Sequence, residues 1–393
     1  MMNPAQDELQ AWLALASGGL AARQRARRLL LHFGGPLQVW LAKPADWQEA
    51  LRGERCEGLQ AQFDSMQAAA SDLRVWLASN PLHHVMCLAD PEYPASLLES
   101  PDPPLLLHAA GKLDGLSRPA VALVGSRHAT PAGVQVAKRL SAELAVLGVE
   151  VVSGLAVGID AAAHEAALTA GGPGSTIAVV ASGLDEVYPR QHRALFDQLV
   201  QNGLVMSEHP LKTSALPAYF PQRNRIIAGL ACAVVVVEAT VRSGSLITAR
   251  LAAEAGRDVF AVPGHLSSAQ AAGCNQLIKA GAGLLEHVAD IVESQPWAFS
   301  PEIARALLPP KRRRKGSATD AAQARPPDVE GGLPASSWSR ACRLLRAKPC
   351  GLSELAQATA EPASAVSRTL LVAELQGWVA RLPGGLYQWC GEP

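Results

Sequence analysis

Several short segments of this sequence combine glycine, serine and arginine in a way that suits the binding of a phosphate group. Gly125 follows an unbroken apolar run, and Arg223 follows a proline by two positions. Turns of this kind expose backbone N–H groups at the start of a helix, and arginine adds a fixed positive charge. The candidate anion-binding residues are Gly125, Ser126, Arg127, Gly154, Gly158, Arg223, Asn224, Arg225, Ser243, Gly244 and Ser245.

Most of these residues also have a structural interpretation. A tight turn from a strand into a helix explains glycine at positions 154, 158 and 244 as well as ligand contact does. We expect Arg223 and Arg225, two residues apart, to lie in a proline-bounded loop with no acidic neighbour in the sequence, and at least one of them to contact phosphate.

Other polar residues near these turns could suggest catalysis. Asp160 is followed one helical turn later by His164, which allows either a catalytic pair or, as we expect, a carboxylate that braces a helix start. Ser243 and Thr248 lack the G-x-S-x-G elbow of hydrolases. The sequence therefore predicts a binding site with no catalytic residue and no metal ligand.

A parallel β-sheet is the structure that would bring these turns together. Apolar runs of strand length alternate with helical stretches through the middle of the chain, which is typical of a doubly wound, Rossmann-like α/β fold. The predicted strands cover residues 120–125, 149–153, 176–181, 204–207, 232–238 and 258–262. In such a sheet all candidate residues follow strand carboxyl ends, where ligands bind.

The anion is not expected to be a dinucleotide. The turn after the first strand has Gly125 and then no glycine until Gly133, so the G-x-G-x-x-G spacing is absent. The second strand ends in Ser153, where a ribose-binding carboxylate would be expected. We therefore predict no nicotinamide cofactor, and no other cofactor.

Composition limits the remaining possibilities. The 393 residues carry a formal net charge of zero, so a polyanion must bind to a local patch of cations. The seven cysteines form no C-x-x-C pair, which disfavours zinc and a disulfide framework and fits a reducing compartment. With no leader-like or membrane-spanning run, the sequence predicts a cytoplasmic protein without membrane contact.

Further segments flank the sheet domain. We predict a small helical domain over residues 1–80, a Rossmann-like domain over 81–298, a basic and proline-rich linker over 299–336, and a winged helix over 337–393. The proline-rich stretch 85–114 should be extended along the sheet domain. In the winged helix we expect helices at 338–345, 353–359 with Ser353 as N-cap, and 363–376, followed by a hairpin.

The helix predicted over Leu20–Phe33 carries four arginines. They are Arg23, Arg25, Arg27 and Arg28. They either form a solvated basic face or contact a nucleic-acid backbone, and the sequence leaves both interpretations open.

Together, the motifs resemble the DNA-processing protein A family (DprA, also called Smf). The matching segments include V-A-L-V-G-S-R from Val121, S-G-L-A-V-G-I-D from Ser153, F-P-Q-R-N-R from Phe220 and S-G-S-L-I-T-A-R from Ser243. The resemblance implies a non-catalytic recombination mediator that binds single-stranded DNA and loads the recombinase RecA during natural transformation. It also implies a homodimer, a sterile-alpha-motif-like (SAM-like) N-terminal domain and a C-terminal winged helix. One departure is Ala132, where the family usually has tyrosine.

Two other functions compete with this one. Related nucleoside-monophosphate phosphoribohydrolases need a glutamate that, aligned on Thr248, is Leu251 here. A winged-helix transcription factor would need several basic residues on the helix that enters the DNA groove, but the helix predicted over 363–376 offers only Arg368. We therefore expect the DNA site in the central domain.

Overall fold

The computed structural model describes residues 4–54, 58–307, 332–382 and 385–390. Contacts divide the chain into two compact units, Met1–Pro309 and Pro310–Pro393. The predicted domain boundaries at residues 80, 298 and 336 stay predictions. The basic run 311–315 of the predicted linker lies outside the described residues.

The first unit begins with six helices. They are α1 Pro4–Ala16, α2 Leu20–Phe33, α3 Pro36–Leu41, α4 Pro44–Ala50, α5 Leu59–Ser65 and α6 Gln67–Ser79. Their apolar faces surround the buried side chains of Trp47 and Phe63, and the same cluster includes Leu105 and Leu106 at the start of a sheet strand. The N-terminal helices therefore pack directly on the sheet.

A nine-stranded sheet forms the centre of this unit. Its strands are β1 His83–Cys87, β2 Leu106–Gly111, β3 Ala120–Val124, β4 Glu150–Ser153, β5 Thr176–Val179, β6 Leu204–Ser207, β7 Ala233–Val236, β8 Asp258–Ala261 and β9 Gly283–Leu284. The spatial order is β1-β2-β6-β5-β4-β3-β7-β8-β9. The strands from β6 to β9 in this order are parallel, and β1 and β2 are antiparallel additions at one edge.

The remaining helices of this unit connect the strands or follow the last of them. They are α7 Ala95–Leu98, α8 Pro131–Val146, α9 Ile159–Thr169, α10 Arg193–Asn202, α11 Tyr219–Leu230, α12 Ser245–Glu254, α13 Ala272–Lys279, α14 Val288–Ser294 and α15 Pro301–Leu307. β3 is buried on both sides: Val121 and Leu123 face one core cluster, whereas Ala122 and Val124 face the other. This alternation explains why central strands read as continuous apolar runs.

All six predicted strands and the mostly parallel α/β class are confirmed. The stretch 85–114 contains no long helix, as expected, but it contributes part of β1 and all of β2 to the sheet, because β1 pairs with β2 and β2 pairs with β6. β3 lies between β4 and β7. From β3 the chain adds β4, β5 and β6 on one side, and it then returns to add β7, β8 and β9 on the other side. The carboxyl ends of β3 and β7 therefore form the topological switch point, where ligands usually bind.

The second unit is a winged helix. It contains α16 Ala335–Ala347, β10 Cys350–Gly351, α17 Leu352–Thr359, α18 Ala363–Leu375, β11 Val379–Leu382 and β12 Leu386–Trp389. The indole ring of Trp338 is fully buried between Trp378 and Trp389, 6.3 and 6.2 Å away. The predicted Ser353 N-cap is wrong, because α17 begins one residue earlier and its N-cap is Gly351.

Candidate functional site

The loop between β3 and α8 is anchored at its start by the neighbouring loop after β4. The backbone oxygen of Ser126 accepts a hydrogen bond from Ile159 N at 3.3 Å, and the Ser126 hydroxyl accepts one from His128 N at 3.1 Å. A Cβ at Gly125 would lie 2.6 Å from a side-chain carbon of Ile159. Gly125 and Ser126 are thus explained by packing, whereas the next two residues, Arg127 and His128, are exposed.

The N-terminus of α8 already holds an anion of the protein itself. Thr130 is the N-cap, and it donates hydrogen bonds to Glu238 from its backbone N at 2.9 Å and from its hydroxyl at 2.5 Å. A Cβ at Gly133 would lie 2.3 Å from the carboxyl carbon of Glu238. The expectation that this helix terminus is free for an external anion is therefore wrong, because a carboxylate from the end of β7 occupies the position.

The turn after β4 shows why glycine is needed twice. A Cβ at Gly154 would lie 1.6 Å from a guanidinium nitrogen of Arg223, and one at Gly158 would lie 2.3 Å from the backbone oxygen of Ser126. Gly158 also has a φ of 85°, which side chains rarely adopt. Asp160 accepts a hydrogen bond from Gly154 N at 3.1 Å, so it braces this turn as expected.

His164 forms no catalytic pair with Asp160. The Thr176 hydroxyl donates to the backbone oxygen of Val151 at 2.6 Å and accepts from His164 Nδ1 at 2.7 Å. Burial, aided by the positive charge of Arg223, lowers the pKa of His164 to about 3. The ring is therefore a neutral core group.

Arg223 is the most unusual residue at this edge of the sheet. Only 5% of it is exposed, and its Nε has no hydrogen-bond partner within the described part of the chain. The negative charge of Asp160 raises the pKa of Arg223, although the two side chains form no ion pair in the described structure. Burial and then the charge of Arg127 lower its pKa to about 10, against the effect of Asp160, so it remains protonated at neutral pH. An arginine held in this way suits a phosphate oxygen as its missing partner.

Arg225 has a different environment, and the expectation that it lacks acidic partners is wrong. Its guanidinium pairs with Glu208, and its Nε lies 3.1 Å from a carboxylate oxygen of Asp102. Asp102 also pairs with Arg23, at 2.6 Å, and with Arg27. We call these five residues, Arg23, Arg27, Asp102, Glu208 and Arg225, the arginine–carboxylate cluster.

The separation of Arg223 from Arg225 follows from local structure. The expected loop is wrong, since both residues lie in α11, where positions two apart point about 200° away from each other. Asn224, between them, is half-buried. For Arg23 and Arg27 of α2, neither a solvated face nor a nucleic-acid contact describes the structure, because both turn inward to Asp102.

The turn before α12 is more open. The hydroxyls of Ser243 and Ser245 lie 2.7 Å apart, and the backbone N of Ser245 donates to the Ser243 hydroxyl at 3.3 Å. No atom lies within 4 Å of a Cβ placed on Gly244. Close packing therefore does not explain this glycine, and ligand contact remains a prediction.

Several residues at this edge of the sheet were missed by the sequence analysis. The rings of Tyr188 and Phe220 lie 5.6 Å apart, and the Arg127 guanidinium lies 5.1 Å from the centre of the Phe220 ring. Tyr188 is 49% exposed. Counting cations in the turn before Ser243 would also have found the exposed Arg242. We call Arg127, Tyr188, Phe220 and Arg223 the rim surface, since they combine two cations with two aromatic rings.

The described residues contain neither a metal-binding cluster nor a membrane-spanning helix. No group of His, Cys, Asp or Glu side chains there could hold a metal ion. No helix of that part of the chain is long and apolar enough to cross a membrane.

Comparisons with known proteins agree with the motifs in the sequence. The family model described as DNA recombination-mediator protein A matches residues 84–296, and the DprA winged helix domain matches residues 339–385. Protein Smf of Synechocystis sp. is 37% identical over 323 residues, which cover 76% of this chain and 78% of that protein. DNA processing protein DprA of Streptococcus pneumoniae is 46% identical over 209 residues, which cover 52% and 72%, respectively.

Solved structures show the same similarity. The X-ray structure of DNA processing protein A from Streptococcus pneumoniae has a TM-score of 0.64 at 34% identity, covering 75% of this chain and 99% of that chain. A structure of DNA processing protein A from Helicobacter pylori, described for its single-stranded DNA binding mode, has a TM-score of 0.50 at 30% identity and covers 55% and 98%. The resemblance seen in the sequence is thereby confirmed: this chain belongs to the DNA recombination-mediator protein A family.

Proposed function

We propose that this protein binds single-stranded DNA at the rim surface and acts there without catalysis. The observation that carries the proposal is the buried guanidinium of Arg223, whose Nε lacks a hydrogen-bond partner among the described residues and which lies beside the exposed Arg127. A chain of zero net charge needs a few cations aimed at consecutive phosphates in order to bind a polyanion. The Helicobacter pylori relative, described as binding single-stranded DNA, supports this choice of ligand.

Aromatic stacking is part of the proposed interface. Bases stack on exposed rings with little sequence preference, and Tyr188 and Phe220 offer two adjacent rings next to Arg127. Because aromatic residues make up only 5% of the chain, its composition alone favours charge as the main source of affinity. With both rings at the rim surface, stacking and phosphate contact contribute together. Gly244, Ser243 and Ser245 stay in the proposal as backbone and hydroxyl donors.

Arg225 is not a phosphate contact in this proposal. Its donors are used by Asp102 and Glu208, so a phosphate would have to break an existing ion pair. We assign it a structural role in the arginine–carboxylate cluster.

The test is a fluorescence anisotropy titration of labelled single-stranded oligonucleotides. Arg127→Ala and Arg223→Gln should each weaken binding about tenfold, and each lost phosphate contact should reduce the slope of log K against log salt by about 0.7. Arg193→Ala is the matched control, because Arg193 is exposed and pairs with Asp197 on α10. Wild-type affinity and salt slope in both rim variants, with circular dichroism unchanged, would show that the DNA site lies elsewhere.

We further propose that the protein is a cytoplasmic homodimer that loads RecA onto DNA entering the cell in transformation. Family membership supports this role, and the test is RecA filament formation on DNA coated with single-strand binding protein. Absence of acceleration by this protein would contradict it. Base release from nucleoside monophosphates, the competing activity, is not expected, because Leu251 stands where the required glutamate would be.

A further inference from the structure

Glu238 connects the end of β7 to the loop that carries Arg127. Its two carboxylate oxygens accept hydrogen bonds from the backbone N and the hydroxyl of Thr130, at 2.9 and 2.5 Å. The same hydroxyl accepts a hydrogen bond from Gly133 N at 3.1 Å, which caps α8. One carboxylate thus fixes both the end of the loop and the start of the helix.

The other end of the loop is fixed independently. Ser126 accepts from Ile159 N through its backbone oxygen, and Gly125 packs against the Ile159 side chain. Arg127 lies between these two anchors. Its guanidinium lies 5.1 Å from the centre of the Phe220 ring.

From these contacts we infer that Glu238 is a positioning residue for single-stranded DNA binding, which acts by holding Thr130 so that Arg127 stays at the rim surface. The inference rests on the proposed function. Glu238 does not touch DNA in this arrangement. A carboxylate near a polyanion repels it, so without a positioning role its loss would strengthen binding.

Loss of the Glu238 carboxylate should therefore weaken DNA binding if Glu238 positions Arg127, and strengthen it if Glu238 only repels the DNA. Glu238→Ala removes both acceptors, and it should weaken binding of a single-stranded oligothymidylate about threefold to tenfold in the full-length protein. Glu238→Gln keeps one acceptor for Thr130 N and offers an amide donor to the hydroxyl. It should therefore bind at least as tightly as the wild type, because the geometry is kept and a negative charge is lost.

Glu186→Gln is the matched control for charge. Glu186 is exposed in the loop after β5 and makes no side-chain contact with Thr130. Its neutralisation should leave binding unchanged or make it tighter. If Glu238→Ala also tightens binding, the positioning role is overturned.

A double-mutant cycle separates positioning of Arg127 from a general structural effect. In an Arg127→Ala background, Glu238→Ala should cause no further loss, whereas in an Arg242→Ala background its effect should be retained within about twofold. Full additivity with Arg127→Ala would overturn the inference. Should Glu238→Ala fail to fold, Thr130→Val removes one of the two donors and is measured in the same cycle with the same expected coupling.

The outcomes also separate this inference from the proposed function. If Arg127→Ala weakens binding and Glu238→Ala does not, the proposed function stands and only the positioning role fails. If neither Arg127→Ala nor Arg223→Gln affects binding, the rim surface is not the DNA site and both statements are overturned.

Discussion

The position of the Arg223 guanidinium depends on the absence of a side chain at residue 154. Gly154 lies against Arg223 so closely that a Cβ would overlap one of its nitrogens, at 1.6 Å. The rim surface is thus shaped in part by the missing side chain of Gly154. Gly158 plays a comparable part for the loop of Arg127, since its missing side chain leaves room for the Ser126 backbone oxygen.

Gly154→Ala tests this arrangement. The added methyl group should displace Arg223, weaken single-stranded DNA binding to the level of Arg223→Gln, and lower the free energy of unfolding by about 1–3 kcal/mol. Gly244→Ala is the control, since nothing lies within 4 Å of its added Cβ, and its stability should stay within about 0.5 kcal/mol of the wild type. Anisotropy and urea denaturation measure the two effects, and unchanged DNA affinity in Gly154→Ala would contradict the packing argument.

His164 should make stability depend on pH. Burial lowers its pKa from 6.5 to about 3, so below pH 6.5 the unfolded chain binds a proton that the folded chain does not. The stability that the neutral ring contributes is present above pH 6.5 and is lost as pH falls towards 3. The free energy of unfolding should therefore fall more steeply between pH 6.5 and 5 in the wild type than in His164→Gln, by about 1 kcal/mol per pH unit. Equal slopes in urea titrations would show that His164 is protonated in the folded state.

At the scale of elements, one side of helix α11 contributes to the rim surface and another side forms the ion pairs of the arginine–carboxylate cluster. Phe220 and Arg223, three residues apart, share the side that faces the rim surface, whereas Arg225 turns to Asp102 and Glu208. Through the arginine–carboxylate cluster, α11 is joined to α2 of the N-terminal helices. Burial alone would raise the pKa of Asp102, but the hydrogen bond from Arg23 and the charge of Arg225 lower it, so the carboxylate stays ionised.

Asp102→Ala should remove the anchor of three arginines at once. Loss of one partner leaves buried charge uncompensated, and the free energy of unfolding of the first unit should fall by about 3–5 kcal/mol. Glu54→Ala is the matched control, because the Arg28–Glu54 pair is exposed and screened by solvent, so its loss should leave the urea midpoint close to that of the wild type. Similar urea midpoints for the two variants would show that the cluster is not a main source of stability.

At the scale of the whole molecule, the chain is two compact units with separate cores. The winged-helix core is built around Trp338, whereas the sheet of the first unit has its own clusters on both faces. Trp338→Ala should therefore destabilise the second unit by about 3–5 kcal/mol and leave unfolding of the first unit unchanged. Calorimetry of the full chain should show one shifted and one unshifted transition. A single transition that shifts as a whole would show that the units unfold together.

The sequence by itself determined the fold class, six of the nine strands of the large sheet, and the family. Buried parallel strands need continuous apolar runs, and turns into helices need glycine, so both features can be recognised from short segments of the sequence. The motifs around Gly125, Ser153, Phe220 and Ser243 were sufficient to recognise the family. Helix starts were less certain, as at α17, because a serine one residue away fits an N-cap equally well in the sequence.

Only the tertiary structure decided what each charged residue does. Arg225 and Arg23 contact Asp102, which is 123 and 79 residues away in the chain, respectively. Glu238 accepts hydrogen bonds from Thr130, which is 108 residues away. No local pattern reveals such partners, so the sequence could not tell a paired arginine from an unpaired one. Arg223 and Arg225 differ only because a helix turns them to opposite sides, and this rotation leaves one guanidinium buried without a partner in the described structure.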